Sequence, residues 1–269
     1  MKKEFTYYLY SPCGNDTALV ENINIDDSIR RKVNDKIMKL HQNIEQVGFV
    51  SKEKNNFCLI MAGGEFCGNA TRCAAYYYLE GKPGNIKISV SENLTLKSGI
   101  DEQNKVWSQM PVYNGNDVIS VLDEGITIVR MKGIKYIVID EKVSIDYLKD
   151  KENLKVFSMN FIKKSKIMDS KAIGVIYKEK IDNKLKIHPV IWVKDIDTLF
   201  YETACGSGTT AVAILEAITS NSSQKIDIIQ PSNQIITADV IFDKGNILDA
   251  YIYGNIKTDG ICRKITIDI

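Results

Sequence analysis

An α+β fold built from two similar halves is predicted by three features of the 269-residue sequence. Most segments are short runs rich in aromatic and β-branched residues, the composition of strands. Their order (strands, a helix, more strands, a second helix, strands again) restarts near residue 116. Finally, two runs of small residues, CGNATRCAA at 67–75 and CGSGTTAVA at 205–213, each open a helix, one in each half. Thr71 matches Thr209 and Ala75 matches Ala213 at equal offsets from the leading cysteine.

In the first half, EFTYYLY (4–10), DTALVE (16–21), QVGFVS (46–51) and NFCLIM (56–61) read as strands. Between them, Ile29, Val33, Ile37 and Leu40 fall at helical spacing over 26–41, with Asp26, Asp27 or Ser28 available as the cap. GNATRCAAYYYLEG reads as a helix closed by Gly81, and Pro83 prevents its continuation. IKISVS, LTLKSG and KVWSQMPV return to strand. In the second half DVISVL, ITIVRM and IKYIVID precede a helical stretch near 144–165. AIGVIY and LKIHPVIWV lead to the small-residue helix from Gly206 to about Thr219, and strands follow to the end. The sheets are expected to be mainly antiparallel. VYNGND (112–117) is the softest boundary, giving an N-terminal domain of 1–115 completed by 258–269 and a C-terminal domain of 116–257.

Composition narrows the function. Hydrophobic residues make up 44% and charged residues 26%, with a formal net charge of +1. Such a chain has no global basic field to hold a nucleic acid. No apolar run approaches the ~18 residues of a membrane span, and MKKEFTYYLYSP lacks the apolar region of a secretory signal. Six cysteines without an export signal read as reduced thiols in a cytoplasm. Only His41 and His188 occur, with no CxxC or HExxH, so no metal site is expected.

The two helix starts carry the chemistry. A helix N-terminus presents backbone N–H groups without intrahelical partners and a partial positive charge. Small residues leave that end open to an anion, and the Ala-rich helix behind can pack inside β-structure. A cysteine at such an end is expected to have a depressed pKa and a useful thiolate fraction. The ordinary reading of a cysteine is a small buried hydrophobe. It is applied to Cys13, Cys58, Cys73 and Cys262, with Cys13 in the turn SPCGND. For Cys67 and Cys205 the repeated context favours chemistry.

CGNATRC (67–73), ACGSGT (204–209), GNDTALV (14–20), EQVGFV (45–50) and QPSNQI (230–235) together resemble the cofactor-independent amino-acid racemases of the diaminopimelate epimerase fold. The resemblance spans essentially the whole chain. It implies two pseudo-symmetric domains, each with β-structure wrapped around a central helix, and a site in the cleft between them. It implies that Cys67 and Cys205 remove and return the α-proton on opposite faces, that no cofactor is used, and that the partner is a small amino acid. Gly68, Asn69, Gly206 and Ser207 would hold the α-carboxylate, while Asn15 and Gln46 match substrate-side positions. Related enzymes are commonly homodimers, which extends the expectation to this chain.

Departures from the diaminopimelate enzymes are informative. LIMAGGEF (59–66) stands where they carry an Asn-bearing segment, GIKY (133–136) where they carry GNPH, and Ala172 near another Asn. IDTLFYETAC (196–205) has no arginine before the second cysteine. A distal charged group would be left unpaired in such a site. EQVGF, EFCGNAT and a short Glu-x-x-CGSGT approach resemble instead the histidine racemases of this fold, including those feeding opine metallophore synthesis. By that resemblance Glu45 takes part in substrate recognition or proton handling, and Glu65 and Glu202 orient the thiols or the substrate ammonium; the alternatives are a solvated strand-edge glutamate at 45 and turn or cap roles at 65 and 202. A diaminopimelate epimerase or a broad-specificity racemase is the alternative within the fold, since function lives in the site. Outside it stand a non-catalytic amino-acid-binding protein, a thiol redox protein and a pyridoxal-phosphate enzyme. The last two lack a CxxC motif and any mark of a Schiff-base lysine.

Overall fold

Parallel neighbours inside a mixed sheet are covered on both faces, so their strands must be apolar throughout rather than alternating. β2 (Thr17–Glu21) over Ala18–Val20 and β3 (Gln46–Glu53) over Val47–Val50 have this character, and the two strands pair in parallel, Thr17 opposite Gln46 and Val20 opposite Phe49. The computed structural model describes residues 2–21, 24–53, 56–194 and 198–268, so Ile196 and Asp197, at the start of the approach to Cys205, lie outside the described residues. Contacts divide the chain into two units, Met1–Gln109 with Tyr253–Ile269, and Met110–Ile252.

In the first unit β1 (Lys2–Ser11) pairs antiparallel with β2. α1 (Asp27–Leu40) crosses to β3, which pairs antiparallel with β4 (Asn56–Met61). α2 (Gly68–Tyr78) crosses to β5 (Gly84–Ser91), parallel to β4, and β6 (Leu94–Ile100) and β7 (Val106–Gln109) follow antiparallel. Alternation of side chains along each strand then sorts the core. Ala18, Val20, Val47 and Phe49 pack with Val33 and Ile37 of α1. Leu19 and Val50 point the other way and pack with Ala70, Cys73, Ala74 and Ala75 of α2. α2 is buried from Gly68 through Ala75. Its small residues let the surrounding strands approach.

The second unit repeats the plan. β8 (Ile119–Asp123), β9 (Ile126–Met131) and β10 (Ile134–Ile139) are antiparallel neighbours, and β10 runs parallel to β11 (Ala172–Ile181). β12 (Lys184–Val193) pairs antiparallel with β11 and with β13 (Thr198–Tyr201), and in parallel with β14 (Gln224–Ile229) across α5 (Gly206–Ser220). β15 (Ile235–Asp243) and β16 (Asn246–Gly254) follow. β17 (Lys257–Thr258) and β18 (Arg263–Asp268) return to pair with β1 in the first unit. Tyr136 and Gly174 face α5, whereas Ile137, Ile139, Val175 and Tyr177 pack outward in a separate cluster.

Three expectations are corrected. The stretch near 144–165 is two helices, α3 (Glu141–Leu148) and α4 (Leu154–Lys164). Asp140 caps α3 through the Lys142 N–H, earlier than the apolar spacing indicated. Leu40 is 53% exposed, because the last turn of α1 runs past the sheet that buries Val33 and Ile37. The units divide at Gln109/Met110 and Ile252/Tyr253 rather than at 115/116 and 257/258. The Met110 N–H bonds Ala250 O and the Pro111 carbonyl accepts from Lys132, so the segment preceding VYNGND already belongs to the second unit. Among the three candidate caps of α1, Asp26 accepts the Ile29 N–H at 2.9 Å, worth about 1 kcal/mol to the helix.

Ile37→Ala is expected to cost about 2–5 kcal/mol in chemical denaturation, whereas Leu40→Ala should fall within about 0.5 kcal/mol of the parent. Equal losses would contradict the assignment of the buried face of α1.

Candidate active site

Each motif cysteine is the N-cap of its helix, in nearly the same backbone geometry: φ −133°, ψ 116° at Cys67 and φ −130°, ψ 102° at Cys205. Each Sγ accepts the N–H of the third helical residue, Ala70 at 3.4 Å and Gly208 at 3.3 Å. The carbonyl of each cysteine receives both the N–H and the hydroxyl of a threonine one turn later. The hydroxyl distances are 2.8 Å from Thr71 and 2.7 Å from Thr209. The matching threonines thus have a local cause, since a Thr hydroxyl readily returns to the i−4 carbonyl. A Cβ at Gly208 would lie 2.7 Å from Ile176 Cδ1 and 3.2 Å from Cys205 Sγ, so a larger residue there would press on both.

The surroundings of the two thiols differ. Cys67 is half-buried, with Gly68 and Asn69 buried behind it. Cys205 is 3% exposed. Tyr136 of β10 brings its hydroxyl to 3.6 Å from Cys205 Sγ and 2.5 Å from Ser207 Oγ. Ser207 Oγ is itself 3.7 Å from the sulfur. The Tyr136 ring reaches this position over Gly174, where a Cβ would meet Cε1 at 2.1 Å. Gln230 fixes the backbone of the helix start. Its Oε1 accepts the Cys205 N–H at 3.0 Å, and its Nε2 donates to Thr209 Oγ1 at 3.0 Å and Ile228 O at 3.1 Å. Half-buried Glu202 donates its backbone N–H to Pro189 O.

These neighbours set the protonation of Cys205. Burial pushes its thiol well above the ordinary cysteine range, and the Glu202 carboxylate adds to this by charge and as hydrogen-bond acceptor. Tyr136 and the Gly208 N–H pull the other way. The expectation of a depressed pKa is therefore corrected at this position. A helix terminus is worth about 0.3–1 kcal/mol to an adjacent charge, while full burial moves a pKa by up to about 3–5 units at 1.36 kcal/mol each. Burial wins, and Cys205 rests as a thiol. Tyr136 is likewise held neutral by burial, with Cys205 and Glu202 reinforcing the shift.

Three further residues singled out in the first half, Asn15, Glu45 and Gln46, gather at the N-terminal ends of β2 and β3. Asn15, in the left-handed region at φ 55°, is 5% exposed, and its carbonyl accepts from Thr17 Oγ1 at 3.0 Å and Gln46 Nε2 at 3.5 Å. Gln46 Nε2 also reaches Thr17 Oγ1 at 2.7 Å, and half-buried Glu45 donates its N–H to Asp16 O at 2.9 Å. Cys73 of α2 is fully buried and burial pushes its thiol up, with the Thr17 hydroxyl beside it. The structure therefore assembles Asn15, Glu45 and Gln46 beside one another, joined to α2 through Thr17 and Cys73. Asn69 Oδ1 accepts from Arg72 Nη2 at 2.9 Å. Glu65 is exposed, folded against Gly63.

Cys13 is buried with its thiol on Asn255 O at 3.4 Å, and Cys58 is half-buried. Cys262 is exposed rather than packed, because it lies just ahead of β18. Tyr136 and Gln230 were not singled out as site residues from the sequence. Gln230 opens QPSNQI, and Tyr136 stands at the last position of GIKY. Among the described residues no group of three or more His, Cys, Asp or Glu side chains is placed to hold a metal, and no helix is long and apolar enough to cross a membrane. His188 is buried between Tyr201 and Glu179, and His41 bonds Tyr7.

Residues 4–260 match the family described as the histidine racemase CntK N-terminal domain. The chain belongs to this family. A histidine racemase of Fusobacterium nucleatum subsp. nucleatum is 34% identical over 215 residues, covering 75% of this chain and 77% of the relative. A second, from another strain, is 31% identical with the same coverage. A hydroxyproline epimerase from Agrobacterium vitis, solved with bound trans-4-hydroxy-L-proline, superposes with a TM-score of 0.67 at 11% identity, covering 98% of this chain and 92% of that one. That likeness establishes the fold: α+β, of the epimerase type, with β-structure around a central helix in each unit. The matched stretch, residues 4–260, includes both thiol-capped helix starts.

Glu202→Gln should move the pH midpoint of Cys205 alkylation by iodoacetamide downward, and Tyr136→Phe should move it upward, both read by mass spectrometry of the Cys205 peptide. In the parent that midpoint lies above the value of about 8.5 for an unperturbed cysteine. Stability contributed by the neutral thiol is present below that value and is lost as pH rises through the folded-state pKa. Midpoints unchanged in both variants would contradict the assigned neighbours.

Proposed function

We propose that the protein is an amino-acid racemase that interconverts L- and D-histidine through two thiols, Cys67 and Cys205. The observation that carries this reading is the duplicated thiol cap, found in a chain that belongs to a histidine racemase family. Inversion at an α-carbon requires a base on one face and an acid on the other. In one direction the Cys67 thiolate takes the α-proton, the electron pair of the broken C–H bond passes into the α-carboxylate, and the Cys205 thiol delivers its proton to the opposite face. Cys67 ends as the thiol and Cys205 as the thiolate, so the reverse direction starts from the product state. A Cys205 held as a thiol by burial and Glu202 is suited to donate.

Charge growing on the carboxylate is the main barrier, and preorganised N–H donors answer it. The first-turn amides at Gly68, Asn69, Gly206 and Ser207 are the donors assigned to it. Each thiol takes the third-residue amide of its own helix, which fixes the sulfur without using the first two. The reaction as written needs only proton transfers and invokes no cofactor. Asn15, Glu45 and Gln46 are assigned to the substrate side chain, Glu45 accepting from an imidazole N–H. One carboxylate at the side-chain end, Glu45, suits imidazole, whereas the second charged end of diaminopimelate would go unsatisfied.

Exchange of the α-hydrogen in D2O, followed for histidine and LL-diaminopimelate under identical conditions, tests the substrate. Histidine should exchange faster, and Glu45→Gln should weaken its turnover selectively. Faster exchange with diaminopimelate overturns the assignment. Cys67→Ser and Cys205→Ser should each lower racemisation by about 10²–10⁴-fold, the usual range for losing a general acid or base. Cys73→Ser should have far less effect on chemistry. A fully active Cys205→Ser enzyme would end the two-thiol reading.

A further inference from the structure

Arg72 is fully buried on α2, five residues after Cys67, and makes no ion pair among the described residues. A guanidinium in that position is costly unless its bonds do something specific. Its Nη2 donates to two acceptors at 2.9 Å, Pro12 O and Asn69 Oδ1, while Nε and Nη1 find no acceptor among the described residues. The first acceptor begins an unusual turn. Cys13 (φ 72°), Gly14 (φ 101°) and Asn15 (φ 55°) are three consecutive residues in the left-handed region, two of them not glycine. Conformations of this kind cost about 1–3 kcal/mol each and persist only when the surroundings hold them.

The surroundings do so at three points. Asn15 O, at the end of the turn, is held by Thr17 and Gln46. The Cys13 thiol, in its middle, donates to Asn255 O. Pro12 O, at its start, is held by Arg72. Gly254 completes the arrangement, because a Cβ there would lie 2.4 Å from Arg72 Nη1 and 3.0 Å from Cys13 Sγ. The same Nη2 grips Asn69, the second residue of the helix that Cys67 caps. One planar group therefore ties the turn carrying Asn15 to the helix start carrying Cys67.

We propose that Arg72 is a positioning residue, which fixes the Cys13–Asn15 turn relative to the Cys67 thiol and so aligns the substrate with its base. The consequence for turnover rests on the two-thiol reading above; the mechanical link does not. A reacting centre displaced by about 1 Å loses on the order of 10²-fold in rate, so Arg72→Met should lower kcat toward that extent with a smaller change in KM. Arg72→Lys keeps a donor that can reach one acceptor and should recover part of kcat. Gly254→Ala leaves Arg72 in place but crowds Nη1, and should lower kcat in the same sense.

The experiment combines steady-state histidine racemisation, normalised to folded protein, with hydrogen exchange of intact parent and variants. Arg72→Met should accelerate amide exchange across residues 13–16 by at least about tenfold, the change that accompanies loss of about 1.4 kcal/mol of local protection. Peptides from Met110–Ile252 should stay unchanged. Parental exchange in 13–16 in both Arg72→Met and Gly254→Ala overturns the proposal, as does parental kcat in both. If Arg72→Met fails to fold, Arg72→Lys and Gly254→Ala carry the same two readouts. A parent that racemises nothing, together with faster exchange in 13–16, would sink the two-thiol reading while leaving the mechanical link intact.

Discussion

The hydrogen bond from the third amide of a helix to the sulfur of its own N-cap is the constraint on which the site depends. It fixes the χ1 of each cysteine, holds the sulfur over the open end of the helix, and leaves the first two amides for another anion. Everything nearby serves that placement. The threonine hydroxyl one turn on secures the cysteine carbonyl. The Ala-rich helix body lets strands close around it. Because the device is local, it could be duplicated with its helix, and the two copies still agree in backbone angles.

What differs between the copies is solvation. The Cys205 sulfur sits among Tyr136, Ser207 and Glu202 and is almost completely withdrawn from water, whereas Cys67 remains partly exposed. A helix terminus alone cannot decide protonation against burial of that extent. The direction of the Cys205 shift follows from burial, which Glu202 reinforces and Tyr136, delivered by a distant strand, opposes. Tyr136 reaches it only because β11 offers a glycine beneath the ring.

Legibility in the sequence follows the range of the interactions. α1 and α2 were readable because caps and periodicity are local, as Asp26, Val33 and Ile37 show, although the first left-handed residue after the Leu79 C-cap of α2 is Glu80 rather than Gly81. The duplication was readable because Thr71 and Thr209 act within one turn of their cysteines. The break between α3 and α4 was hidden, since apolar spacing continues through Tyr147, Leu148 and Leu154 and nothing there marks a stop as strongly as proline would. Leu40 was misplaced because periodicity gives a face but not where the opposing sheet ends. Tyr136 and Gln230 escaped because each acts on Cys205 from another strand or loop, 69 and 25 residues away. The state of Cys205 escaped for the same reason.

Deuterium labelling during the first turnovers tests the central claim most directly. With either enantiomer of histidine in D2O, two thiols acting on opposite faces should place solvent deuterium in the product, while recovered substrate keeps its own α-hydrogen. A single base serving both faces would deliver the same isotope to product and recovered substrate. Equal deuterium content in the two pools at early conversion would contradict the account.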